Sequence, residues 1–71
     1  MLLQFQFYLD TPEGHRMGGE TFTYDASTID MAVGHAETML EDHTFSFGKA
    51  NLCLIKDDYG HVLREVRSSS K

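Results

Sequence analysis

Between Ser27 and His43 the apolar residues recur at helical spacing, while the segments on both sides alternate with the two-residue period of strands. Ile29, Ala32, Val33, Ala36, Met39, Leu40 and His43 form one stripe, and Asp30, Gly34, Thr38, Glu41 and Asp42 fall on the opposite side. A single helix can cover one face of one small sheet, so the pattern specifies an α+β domain. Ser27 occupies the expected N-cap, with Asp30 three residues on as a capping-box variant that also suits the helix dipole. Gly34 costs about 1 kcal/mol relative to Ala on the outer side of such a helix, and nothing in the sequence compensates for it.

The clearest strand comes first: Leu3, Phe5, Phe7 and Leu9 alternate with Gln4, Gln6 and Tyr8. Asp10-Thr11-Pro12-Glu13-Gly14 has turn chemistry, and the connection is expected to run on as a loop through Gly19. A shorter second strand, Thr21 to Tyr24, is expected to pair antiparallel with the first. After the helix, Phe45 or Phe47 can staple the connection to the core. Asn51–Asp57 and His61–Val66 then read as a hairpin around Asp57-Asp58-Tyr59-Gly60, with Gly60 in the left-handed region. The expected architecture is a two-layer ββαββ domain over residues 1–67, a four-stranded antiparallel sheet with one amphipathic helix across it, followed by a frayed tail at 68–71.

The second hairpin poses a problem of cover. With Ile55 opposite Leu63, Lys56 opposite Val62 and Leu54 opposite Arg64, one face carries Cys53, Ile55 and Leu63. The other carries Leu52, Leu54, Val62 and Val66. Both are apolar, and either could take the helix. The expectation is that the uncovered face self-associates or meets a protein partner. Its candidate contacts are Leu52, Leu54, Val62 and Val66, with Lys56 and Arg64 at the rim facing acids such as Glu37 or Glu41 of a partner.

Charge narrows the partners. The net charge of −5 argues against a protein that coats nucleic acid, which needs a basic surface. Residues 1–48 hold eight acids and one base, Arg16, while 49–71 hold three acids and five bases, so the chain has opposed poles. The lone Cys53 excludes an internal disulfide and fits a reducing compartment. The first residues carry neither a basic n-region nor a long apolar run, so no signal peptide or membrane span is expected, and the cytoplasm is the expected location.

No constellation of residues specifies chemistry. His35 with Met31 and Met39 one turn to either side could form only a shallow soft-metal site, and gap-filling by methionine accounts for the pattern better. His61 is expected opposite Asp57 as a turn lock, His43 at a core margin and His15 in a loop. Gly14, Gly18 and Gly19 around Arg16 could make an anion nest, but the Gly-Lys-Ser/Thr ending of a phosphate loop is missing. Cys53 reads as a small hydrophobe, and Phe5, Phe7, Tyr8, Phe45 and Phe47 as packing rather than a base-stacking platform. No catalytic, cofactor, metal or small-molecule site is assigned.

The strand ending Phe7-Tyr8-Leu9-Asp10, the Gly-bearing loop, the Ala- and Glu-rich helix and Ile55-Lys56-Asp57-Asp58-Tyr59-Gly60-His61-Val62-Leu63 together resemble a family of short proteobacterial, rhizobial-type proteins. That family is catalogued as a domain of unknown function. The likeness spans nearly the whole chain and implies the ββαββ fold, but it supplies no functional residues. A looser likeness to antitoxins of the HicB type implies a nucleic-acid-linked regulatory role as an alternative. The chain departs from that type in lacking a third strand before the helix and an appended DNA-binding segment. The leading expectation is a non-enzymatic interaction or regulatory module that forms a homodimer.

Overall fold

The computed structural model describes residues 1–68. In chain order the elements are β1 (Leu2–Asp10), β2 (Arg16–Asp25), α1 (Ile29–Asp42), β3 (Thr44–Phe45), β4 (Gly48–Lys49), β5 (Leu52–Lys56) and β6 (Val62–Arg67). Among the described residues the fold is α+β, with one helix and a four-stranded antiparallel sheet in the spatial order β2-β1-β5-β6. The small β3–β4 sheet is an additional element that the sequence reading treats only as a connection.

Alternation along β1 builds the core. Leu3, Phe5 and Phe7 are at most 1% exposed, and Cys53 and Ile55 of β5 are completely buried beside them. The helix lies on this face and so covers Cys53 and Ile55 rather than Leu52 and Leu54. Its buried residues are Ala32, Ala36 and Leu40, and the two alanines let the helix backbone approach the sheet closely. Ile29, Val33 and Met39 flank them, half-buried. Each large apolar side chain buried here contributes roughly 1.5–3 kcal/mol.

The helix starts one residue later than expected. Thr28, not Ser27, is the N-cap: it is extended (φ −139°, ψ 162°), and its Oγ1 accepts from the Met31 N–H at 3.2 Å. Ser27 stands exposed just before it.

β2 begins at Arg16 rather than Thr21, because Gly18 and Gly19 form a bulge inside the ladder instead of a loop. Gly18 and Gly19 have φ of +103° and +109°, and the register shifts there, between Phe7 and Tyr8 of β1. Gly18 also has to be bare. A Cβ on it would stand 2.8 Å from the Phe45 ring and 3.1 Å from the Phe7 carbonyl oxygen. The loop that remains is tight, with the Thr11 N–H donating to His15 O at 2.8 Å.

The β5–β6 turn follows the sequence reading, with Gly60 at φ +86° and the Asp57 N–H donating to His61 O at 3.0 Å. Its register is correct only at Lys56↔Val62. A bulge between Ile55 and Lys56 then pairs Ile55 with Arg64, Leu54 with Glu65 and Cys53 with Val66. Val66 therefore turns beneath the helix, 5% exposed, instead of sharing a face with Leu52, Leu54 and Val62. One inserted residue reverses every side chain beyond it, which is why a hairpin register extrapolated from the turn fails at the far end.

At that far end Asn51 acts as a clip. Its side chain accepts from the Asp10 N–H and donates to the Asp10 carbonyl, both at 2.9 Å. Its backbone N–H bonds Tyr8 O, and its carbonyl accepts from the Ser68 N–H, each at 3.0 Å. Ser68 is thus tied to the sheet, while the rest of the expected tail, residues 69–71, lies outside the described residues.

Candidate interaction surface

The six residues singled out in the sequence do not form one surface. Val66 is in the core, and Leu52 and Leu54 lie on the outer face at 0% and 9% exposure. Their cross-strand neighbours there are Tyr8 and Gln6 on one side and Arg67 and Glu65 on the other. The Tyr8 hydroxyl donates to Gln6 Oε1 at 3.0 Å. Long polar side chains thus surround both leucines, as amphipathic stems commonly do over apolar ground. Lys56 is half-buried, Val62 is 52% exposed and Arg64 is exposed, its guanidinium bonded to Leu63 O at 2.7 Å. Glu37 and Glu41, expected to meet a partner's bases, line a shallow pocket of about 210 Å³ with Leu40 and Arg67 of the same chain.

The sheet ends in two edges of different character. The Ala26 N–H donates to Met1 O at 2.9 Å, so Ala26 faces β1. Alternation in an antiparallel ladder then turns Tyr24, Phe22 and Glu20 toward β1, and the main chain of Thr21, Thr23 and Asp25 outward. On the opposite edge the Ser68 N–H bonds Asn51 O, so Ser68 and Val66 face β5 and the main chain of Glu65 and Arg67 faces outward. Charged side chains flank this second edge (Arg64, Glu65, Arg67), a usual device against stray strand pairing. β2 has Phe22, 40% exposed, and Met17, 39% exposed, with threonines on either side of Phe22.

Aromatic rings pack behind β2. His43 stacks on Phe7 with centroids 4.7 Å apart and meets Phe22 and Phe45 edge-on at 5.6 and 4.8 Å. Its Nε2 lies 2.5 Å from Oε1 of Glu20, yet out of line for a hydrogen bond, so this buried nitrogen lacks a well-aligned partner. His35 stacks on Tyr24 at 4.1 Å and 11°. Met31, one turn earlier, is 54% exposed, and Met39 packs against the core. Phe45 closes over Gly18 and stacks on the exposed Phe47 at 4.8 Å. These contacts join rings of α1 and its C-cap residue to side chains of β1 and β2.

Electrostatics are concentrated at the other corners. Arg16 grips Asp10 through two bonds of 2.8 and 3.1 Å, and Arg67 adds a third at 3.3 Å. The Arg16 hydrogen bond, joined by its charge and by Arg67, holds the Asp10 carboxyl below its ordinary range. In the hairpin turn, Asp57 Oδ1 accepts from the Tyr59 and His61 N–H groups, each at 2.9 Å. These bonds, the one from His61 foremost, lower the Asp57 pKa. The His61 ring approaches at 3.4 Å, so the expected lock is present, with Asp57 at its centre. Burial pushes the Cys53 thiol up to about 12, which keeps it protonated and a poor nucleophile. His15 is exposed in the first loop, next to Arg16 in the chain, and its N–H donates to Thr11 Oγ1 at 3.1 Å.

Among the described residues, no group of three or more His, Cys, Asp or Glu is placed to hold a metal ion, and no helix is long and apolar enough to cross a membrane. Comparison with protein-family models, with curated proteins and with solved structures found no match.

Sequence reasoning missed the Asn51 clip and the Gly18–Phe45 approach. The Gly18-Gly19 pair next to a β-prone run was the available signal for the second. Nothing local announces the first, because Asn51 and Asp10 are 41 residues apart.

Proposed function

We propose that this protein is a small, non-enzymatic interaction module of the cytoplasm, built on a ββαββ scaffold with a short hairpin inserted after the helix, that self-associates through its sheet. One observation carries the reading. Phe22 remains 40% exposed on β2, an edge strand of the sheet, although the interior is filled. An edge strand that presents unpaired main-chain groups beside an exposed aromatic ring is a template for pairing with another chain. The resemblance to short proteobacterial proteins of unknown function fits this reading and assigns no residue a role.

Sedimentation equilibrium from micromolar to millimolar concentration tests the proposal. A mass that rises toward twice the 8.1 kDa chain is the expected result. A single monomeric species throughout would refute it.

A further inference from the structure

We propose that the partner is a second copy of this chain and that the two join edge to edge through β2, antiparallel about a two-fold axis passing by Phe22. The inference rests on the self-association reading above and specifies its surface. Only residues whose main chain points outward can form new ladder bonds, and on β2 these are Thr21, Thr23 and Asp25. An axis at Phe22 sets Thr21 of one copy opposite Thr23 of the other, outward group to outward group, on both sides of the axis. Phe22 then faces its own copy as a non-hydrogen-bonded pair, the class with side chains closest together, at a Cα separation of about 4.5 Å. Both rings lie on the helix side of the joined sheet, where each is 40% exposed in the single chain.

The register is self-complementary in chemistry as well as in bonding. Aromatic meets aromatic, threonine meets threonine, and the Glu20 carboxylate meets the Tyr24 phenol of the copy, a donor for an acceptor. A one-residue slip would oppose Glu20 to Asp25 and turn each Phe22 to the other copy's outer face. A two-residue slip would leave Glu20 facing the apolar Ala26. The Gly18–Gly19 bulge ends the regular edge and would fall opposite Asp25, so pairing is confined to 20–24. The result is one continuous sheet with β6 of each copy as its two ends, where the charged side chains stand. An isologous pairing of this kind closes on itself rather than growing a fibre.

Two substitutions in the full chain test the interface. Thr23→Pro removes an outward N–H that β1 does not use, so the circular dichroism of the monomer should be unchanged and the dimer dissociation constant raised roughly tenfold or more. Phe22→Cys should form an intermolecular disulfide on mild oxidation, visible as a doubled mass, while the buried Cys53 stays reduced. Val62→Asp on the outer face and Glu65→Pro on the opposite edge should leave the dimer intact. A dimer that withstands Thr23→Pro, or dissociates on Val62→Asp, overturns the β2 interface while leaving self-association standing. A wild-type chain that is monomeric at every concentration overturns both.

Discussion

The two edges of this sheet differ in how they treat unpaired main chain. β6 is six residues long, bulged at its start and flanked by arginines and a glutamate, and its outward groups lie among charged side chains. β2 is ten residues long, and its regular part, 20–25, offers threonine hydroxyls and a half-exposed Phe22 beside its outward groups. Both edges are bulged, but for opposite ends. The β6 bulge redirects Val66 into the core, whereas the β2 bulge makes room for Phe45 and limits the open edge. A small sheet can thus be protected on one side and available on the other without any change in hydrogen-bond pattern. Side-chain character, strand length and the placing of the bulges together make the difference.

Glycine substitutions probe that contrast most strongly. Gly18→Ala on the β2 side meets both a positive φ and the Phe45 ring, with overpacking and backbone strain of about 1–3 kcal/mol each. Urea unfolding should register a loss near the sum of the two. Gly60→Ala, in the turn leading to β6, has the same kind of φ but open space around it, so only the backbone cost of roughly 1–2 kcal/mol should appear. Equal losses at the two sites would show that Phe45 yields easily and that the β2 bulge is not fixed by packing.

Asn51→Ala should come next. It leaves the Asp10 N–H and C=O without their partners and should cost about 1–3 kcal/mol in thermal unfolding. Leu would restore volume but not the bonds, so Asn51→Leu should lose nearly as much if the clip works through hydrogen bonding.

Acid should loosen Asp57 and Asp10. Both carboxyls have folded pKa values below their unfolded ones, so the stability they contribute is present above the unfolded value and is lost as pH falls through the folded one. Protection of the Tyr59 and His61 amides, measured against their intrinsic exchange rates, should therefore fall below about pH 4. With Asp57→Asn that acid dependence should vanish from the turn leading to β6 and persist at Arg16, where β2 begins.

The smallest effect belongs to the charges along β6. The exposed Arg67–Glu65 pair, at 3.3 Å, should lose no more than about 0.5 kcal/mol in Glu65→Ala. Salt should act more visibly on association. Two chains of −5 repel one another, so raising ionic strength should modestly tighten a β2-to-β2 dimer. A dimer weakened by salt would point instead to attraction between the acidic and basic poles.

Much of the fold was legible from residue spacing. The helical stripe of Ala32, Ala36 and Leu40, the inward set Leu3, Phe5 and Phe7, and the Gly60 turn all follow from local periodicity and turn chemistry, which the chain encodes within a few residues. The contact surface was not legible, because it depended on register and strand order. Val66 was placed on the wrong face by a single bulged residue. Leu52 and Leu54 are screened by neighbours from β1 that no reading of the hairpin alone could supply.

Patterning by itself determined that one helix would cover one face of an antiparallel sheet, since apolar spacing dictates what each element must bury. Only the tertiary structure decided which face that was, that β1 and β5 would take the centre, and that β2 would be left at the margin with its main chain open. Those outcomes turn on pairings between residues tens of positions apart and on bulges that invert side-chain direction. Neither is fixed by the local preferences of the residues involved.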